Sequence, residues 1–379
     1  MKEGLLDAGP SVVGMDDRIR DHARTLVDWS ARVEEGDHVV IETGPEAHDL
    51  AHALVGEIGE RGATYHISYT TGEVQQEYLT RGTGEIHEAT HERSLYEHAD
   101  VLFRIGGDRN QSDLANVPSH RRQAYARSQE SVREARLNTR WISTAHPTPS
   151  LAQAAGMSTP AYRKFAYEAI LRDWETLATE MATLKTKIDE GDVINIVTEG
   201  TDLECVITDR TAVNSAASIV YDSHNLPSGE VFTAPAQTRG HITFDIPMTI
   251  RGQSVRQLRL DIEDNVVTDC SAVEGEAVVN EIIQTDDGAS RVGELGIGMN
   301  RAIDRYTNNI LFDEKMGGTI HLALGRAYEA CLPGNERGNQ SAVHVDFLCD
   351  MKGSSRMRID GELIQRNGWF QWEPEFSDN

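Results

Sequence analysis

The hydrophobic pattern of this chain changes period once, near residue 188, and that change limits the folds open to it. Before it, short apolar runs that read as strands, at 38–43 (HVVIET), 64–69 (TYHISY), 100–105 (DVLFRI) and 139–144 (TRWIST), alternate with helical stretches at 45–61 and 118–137. Alternation of this kind builds a parallel sheet with helices on its faces. A helical stretch over 159–187, with Tyr162, Phe165, Ala169, Ile170, Trp174, Leu177, Met181 and Leu184 apolar, is expected to pack on that first domain and lead into a second. Beyond it, segments 192–198, 203–208, 241–250, 255–262 and 265–272 are short and joined by Gly, Asp and Asn turns, as in an antiparallel meander. Helices at 274–285 and 299–312 interrupt the strands, and runs at 319–324, 341–350 and 356–364 complete them. The expectation is an α/β protein: a tail over 1–15, an open α/β domain with its linking helix over 16–188, and an α+β domain over 189–379. A chain of 379 residues is long enough for two cores.

Charge narrows the partners. The formal net charge is -25, with six lysines against 30 arginines. No basic stripe interrupts the acid, which argues against nucleic acid or an anionic membrane as a partner. An acidic, lysine-poor surface suits a protein hydrated in concentrated salt, and a halophile's cytoplasm is the expected location. No run approaches the ~18 apolar residues of a spanning helix, and residues 1–17 lack the layout of an export signal. Cys205, Cys270, Cys331 and Cys349 are scattered without CxxC spacing, as expected of reduced core thiols.

One motif in the first half invites a zinc reading. His87-Glu88-Ala89-Thr90-His91 spells HExxH, which on a helix places two histidines on one face with a glutamate as base. The extension that supplies a third ligand fails: Ser94 stands where glycine belongs, Glu97 where the third histidine belongs, and His98 comes one place late. No glutamate lies between Glu97 and Glu130 to serve instead. The segment reads as a solvated charged helix. Gly106-Gly107 after a strand lacks the GxGxxG spacing of a dinucleotide site, and there is no Walker lysine or GxSxG elbow.

The second half carries a better set. In SAVHVDFLCD (341–350), Val343, Val345, Phe347 and Cys349 form an apolar face, while His344 and Asp346 point the other way, with Asp350 beyond Leu348. In TIHLAL (319–324), His321 likewise points away from Ile320, Leu322 and Leu324. A lone strand histidine is more often a hydrogen-bonded structural residue, but an imidazole and a carboxylate at i and i+2 suit zinc, cobalt or manganese. Glu230 in PSGEVFTAP (227–235) and Glu294 in GELGIGMN (293–300) stand beside glycines, which let backbone approach a ligand closely. Turn glycines beside solvated acids would look the same.

Those segments, with LFDEKMGGTIHLALG (311–325), SAVHVDFLCDM (341–351) and a closing IDGELI followed by Gly-Trp-Phe, resemble in order the signatures of the thermophilic aminopeptidase family, also called aminopeptidase T. GTDLECVI (200–207), AGMS (155–158) and the Asp173-Trp174 pair fit too, so the likeness runs from about residue 16 to the end. The resemblance implies that Glu230, Glu294, His321, His344 and Asp346 ligate two divalent ions (Zn, Co or Mn) in each subunit, and that Tyr328 lies at the site. It implies a two-domain subunit, a homodimer enclosing its sites in a chamber, and peptides with a free N-terminus as substrates. The expected chemistry is hydrolysis of the N-terminal peptide bond by a water activated between the two ions, with Glu230 or Glu294 moving the proton and Tyr328 steadying the oxyanion. Val345 and Met299 depart from the tryptophan and threonine expected at those places, which affects pocket shape rather than ligation. Two rivals stay open: a single-zinc protease built on His87, Glu88 and His91, and a catalytically silent metal-binding protein.

Overall fold

The computed structural model describes residues 16–110, 112–334 and 336–377; the tail expected over 1–15 lies outside them. The described residues fall into two compact units, divided between Trp141 and Ile142. In the first, His38–Thr43 pairs in parallel with Thr64–Tyr69 on one side and Val101–Gly106 on the other. Val39, Val40 and Ile41 are consecutive and all buried, as a central strand covered on both faces requires. The helix His48–Glu60 buries Leu50, Ala51, Leu54 and Ile58, the i, i+4, i+8 stripe of a core-facing helix. Tyr96, Val132 and Ala135, from the helices Thr90–Glu97 and Glu130–Leu137, cluster with Val40 and Leu102.

The second unit begins with helices that the sequence attached to the first domain. The stretch 159–187 is two helices, Thr159–Ile170 and Trp174–Asp189. Asp173 starts the second by accepting the Thr176 N–H at 3.1 Å. Tyr162, Phe165, Ala166 and Ala169 are buried against Ile303, Phe312, Met316 and Leu348, so this helix packs within its own unit. The strands of this unit form two main antiparallel sheets, of eight and five strands, besides a two-stranded ribbon of Met248–Ile250 and Gln253–Val255. The larger runs Val266–Ser271, Leu258–Glu263, Gln237–Phe244, Asp202–Val206, Val193–Val197, Arg356–Ile359, Glu362–Arg366 and Trp369–Phe370. The smaller, which carries the site, runs His344–Asp350, Thr319–Gly325, Val292–Gly298, Glu230–Thr233 and Val213–Ser215.

Two expected elements differ. The run 356–364 is a hairpin rather than one strand, because Asp360 and Gly361 both take positive φ (50° and 86°), the two-residue turn that Asp-Gly favours. The helix expected over 299–312 shrinks to Ile310–Asp313. Local side chains claim the backbone instead: Asp313 accepts the Thr307 and Asn309 N–H groups at 2.8 and 2.9 Å, and Asn309 caps the short helix. All four cysteines are free, three of them buried. Among the described residues no helix is long and apolar enough to cross a membrane.

Candidate metal centre

Antiparallel pairing puts cross-strand partners on one face, so the register of the smaller sheet decides which side chains meet. Glu294 pairs with Ala323, and Ala323 with Asp346. One step along the same face, Gly296 pairs with His321. Gly298 then pairs with Glu230, and Gly325 with His344. Side chains alternate along each strand, so Glu230, Glu294, His321, His344 and Asp346 all emerge on the same side. The five residues expected as ligands are thereby gathered from four neighbouring strands.

Distances confirm the convergence. His321 Nε2 lies 3.1 Å from Glu294 Oε1 and 3.8 Å from Glu230 Oε2. His344 Nε2 lies 3.5 Å from Glu294 Oε2 and 3.5 Å from Asp346 Oδ1. Ligand atoms of Glu294, His321 and Asp346 sit within 4.8 Å of one another, close enough to share an ion. Glu230, Glu294 and His321 are all buried.

The donor set fits divalent cations. Glu230 Oε2 and Glu294 Oε2 are buried without a hydrogen-bond partner. An orphaned carboxylate oxygen in the interior is costly unless a cation answers it. His344 Nδ1 donates to the Arg326 carbonyl at 2.8 Å, which fixes the ring and turns Nε2 toward the carboxylates. Burial alone would lower the His344 pKa, but the hydrogen bond and charge of Asp346, with Glu294, push it up to about 9. His321 is raised as well: burial pulls it down, and Glu294, Glu230 and Asp346 outweigh that. Burial lifts the Glu294 carboxyl above its usual range. Asp346 goes the other way, because His344, His321 and Lys315 overcome the effect of burial. Protons and metal ions compete here for the same atoms.

Tyr328 stands at the rim, its ring edge-on to His344 at 5.2 Å between centroids and tilted against Phe232 at 5.4 Å. It is 44% exposed. Burial of its hydroxyl end and the charges of Glu294, Asp346 and Glu230 raise its pKa, so it remains a donor.

Two features escape sequence reading. Lys315 is fully buried and ion-paired to Glu230 Oε1 at 3.3 Å. Its signals are rarity, as one of six lysines, and a place inside LFDEKMGGTIHLALG, and neither names a role. The Arg326 carbonyl that orients His344 belongs to the backbone and leaves no trace in residue type.

The HExxH segment forms no comparable site. Its helix begins at Thr90, so His87 and Glu88 precede it and the two histidines share no helical face. His87, Glu88 and His91 are exposed, and Glu88 pairs with Arg93 at 2.6 Å.

Known proteins resemble this chain over nearly its whole length. Aminopeptidase T of Thermus aquaticus is 26% identical over 397 aligned residues, covering 92% of this chain and 96% of that protein. Aminopeptidase AmpS of Bacillus subtilis (strain 168) is 24% identical, covering 93% and 98%. The solved structure of wild-type AmpT from Thermus thermophilus superposes with a TM-score of 0.81 at 22% identity, covering 94% of this chain and 99% of that one, and so shares the fold. The family model described as Thermophilic metalloprotease (M29) matches residues 15–369, nearly the whole length. This chain therefore belongs to the thermophilic metalloprotease (M29) family of metal-dependent peptide hydrolases.

Proposed function

We propose that the protein is an aminopeptidase using two divalent ions, zinc, cobalt or manganese, held by Glu230, Glu294, His321, His344 and Asp346. The observation that carries this reading is the convergence of two imidazoles and three carboxylates on one face of one sheet, with two buried carboxylate oxygens lacking hydrogen-bond partners. The naming of relatives as aminopeptidases over more than nine-tenths of the chain supports the choice of substrate. When bound, such a pair of ions supplies a water nucleophile at neutral pH and polarises the scissile carbonyl.

The chain's own residues do the rest. Glu294 turns Oε1 toward His321 and Oε2 toward His344, so it would help to hold ions beside both imidazoles. A carboxylate of Glu294 or Glu230 takes the proton released by the nucleophile and passes it to the departing amine. Tyr328, still protonated, donates a hydrogen bond to the developing oxyanion. The free α-amine of a peptide's first residue is a further ligand that an ion held here would accept and that an internal bond does not offer, which favours cleavage at the N-terminus. The reading extends to a homodimeric cytoplasmic protein adapted to high salt, in keeping with a net charge of -25.

Two peptides that differ only in N-terminal acetylation provide the test. The metal-loaded protein is expected to trim the free peptide from its first residue and spare the acetylated one. Equal cleavage of both, or internal cuts seen by mass spectrometry, refutes the aminopeptidase reading.

A further inference from the structure

Lys315 is the most buried charge near the site, with none of its surface exposed. An interior ammonium persists only when paired, and both of its partners are carboxylates. One is Glu230, whose Oε1 lies 3.3 Å from Lys315 Nζ; the other is its neighbour Glu314.

The backbone delivers this lysine for a definite reason. Gly298 stands directly opposite Glu230 in the sheet. A Cβ on Gly298 would lie 2.1 Å from the Met316 carbonyl oxygen, so the loop after Asp313 crosses the strand only because that position is glycine. Asn300 ties the pieces together. Its N–H is shared between the Gly229 and Lys315 carbonyls at 3.2 and 3.0 Å, and its own carbonyl accepts from Gly317 at 3.0 Å. Its side chain donates to the Ser228 and Ala169 carbonyls at 2.9 and 3.1 Å. The residue before Glu230 and the residue that grips it thus hang on the same asparagine.

The consequence lies in how Glu230 divides its two oxygens. Oε1 is ion-paired with Lys315 at 3.3 Å, a charge contact without hydrogen-bond geometry, and Oε2, also without a hydrogen-bond partner, lies 3.8 Å from His321 Nε2. Glu294, by contrast, turns both oxygens to the histidines. We infer that Lys315 is the positioning residue for Glu230: it occupies one carboxylate oxygen and so presents the other, alone, to the metal centre. This rests on the metal-ligand reading given under Proposed function.

Charge and position predict opposite effects of removing Lys315. An ammonium beside a cation site repels the cation, so a purely electrostatic role means that Lys315→Met binds metal more tightly. A positioning role means weaker binding, because Glu230 loses its orientation. The experiment is a titration of the metal-stripped full chain with Co²⁺, followed by calorimetry and by the visible absorption of bound cobalt. Lys315→Met is expected to weaken one of two cobalt equivalents by about 10- to 100-fold, the usual cost of losing a group that orients a ligand, and to alter that ion's spectrum. Adding it to Glu230→Gln should cost little more, since both act through one carboxylate.

Binding as tight as wild type or tighter, or additive effects of the two substitutions, overturns the assignment while leaving the metal centre standing. A wild-type chain that takes up no cobalt overturns both. If Lys315→Met does not fold, the double variant Glu230→Gln/Lys315→Met, which removes both charges, is expected to recover thermal stability. A double variant no more stable than the single one means that Glu230 is not the partner, and the assignment falls.

Discussion

A methyl group on Gly296 would lie 2.0 Å from Cε1 and 2.1 Å from Nε2 of His321, so the imidazole lies flat over a position where only glycine fits. Gly296 and His321 are cross-strand partners, and the clash cannot be relieved by rotating an exposed chain end. Gly296→Ala is therefore expected to drive the ring off its place in the centre, and a displacement of about 1 Å costs on the order of 100-fold in rate. Steady-state kinetics on metal-loaded variant and wild type read this directly, with melting temperature as the control for folding. A folded variant with near-normal turnover would show that His321 is not held where the structure has it. At this scale the five candidate ligands were legible because each polar side chain interrupts an apolar alternation or stands beside a glycine, and burying it there is costly unless a partner answers it. Lys315 was not, since its contact with Glu230 depends on a loop crossing the sheet at Gly298. No local pattern announces that crossing.

Elements were legible where one periodicity acted alone. The strand His344–Asp350 follows its alternation: Phe347 and Cys349 are buried in the core while His344 and Asp346 face the site. Phe347 meets Phe244 of the larger sheet at 5.4 Å between centroids, which anchors the strand that carries two candidate ligands. The parallel strands of the first unit were equally plain from their apolar runs. Failures came where side chains compete with the ladder. Asp313 and Asn309 bond the backbone of 307–311 and leave a helix of four residues, and the Asp360-Gly361 turn folds one apparent strand into two. The HExxH pattern failed for a related reason: the motif has meaning only on a helix, and here the helix starts after its first histidine. The helix Thr159–Ile170 is legible as an apolar stripe, but its packing on Ile303, Phe312, Met316 and Leu348 is not, because a stripe states that a face is buried without stating against what.

For the whole molecule, a net charge of -25 means that self-repulsion works against the compact state unless salt screens it. The Debye length falls to ~3 Å at 1 M salt. Thermal unfolding followed from 0.1 to about 3 M KCl is expected to show a rising midpoint, and a flat or falling one would remove the halophile reading. The central claim concerns the ions. Metal per folded chain, measured by mass spectrometry on protein dialysed against cobalt or zinc, tests it most directly when wild type is set beside His344→Ala and His91→Ala. The account predicts two equivalents in wild type, a loss of at least one in His344→Ala, and two again in His91→Ala. One equivalent in wild type that disappears with His91→Ala and survives His344→Ala would contradict it.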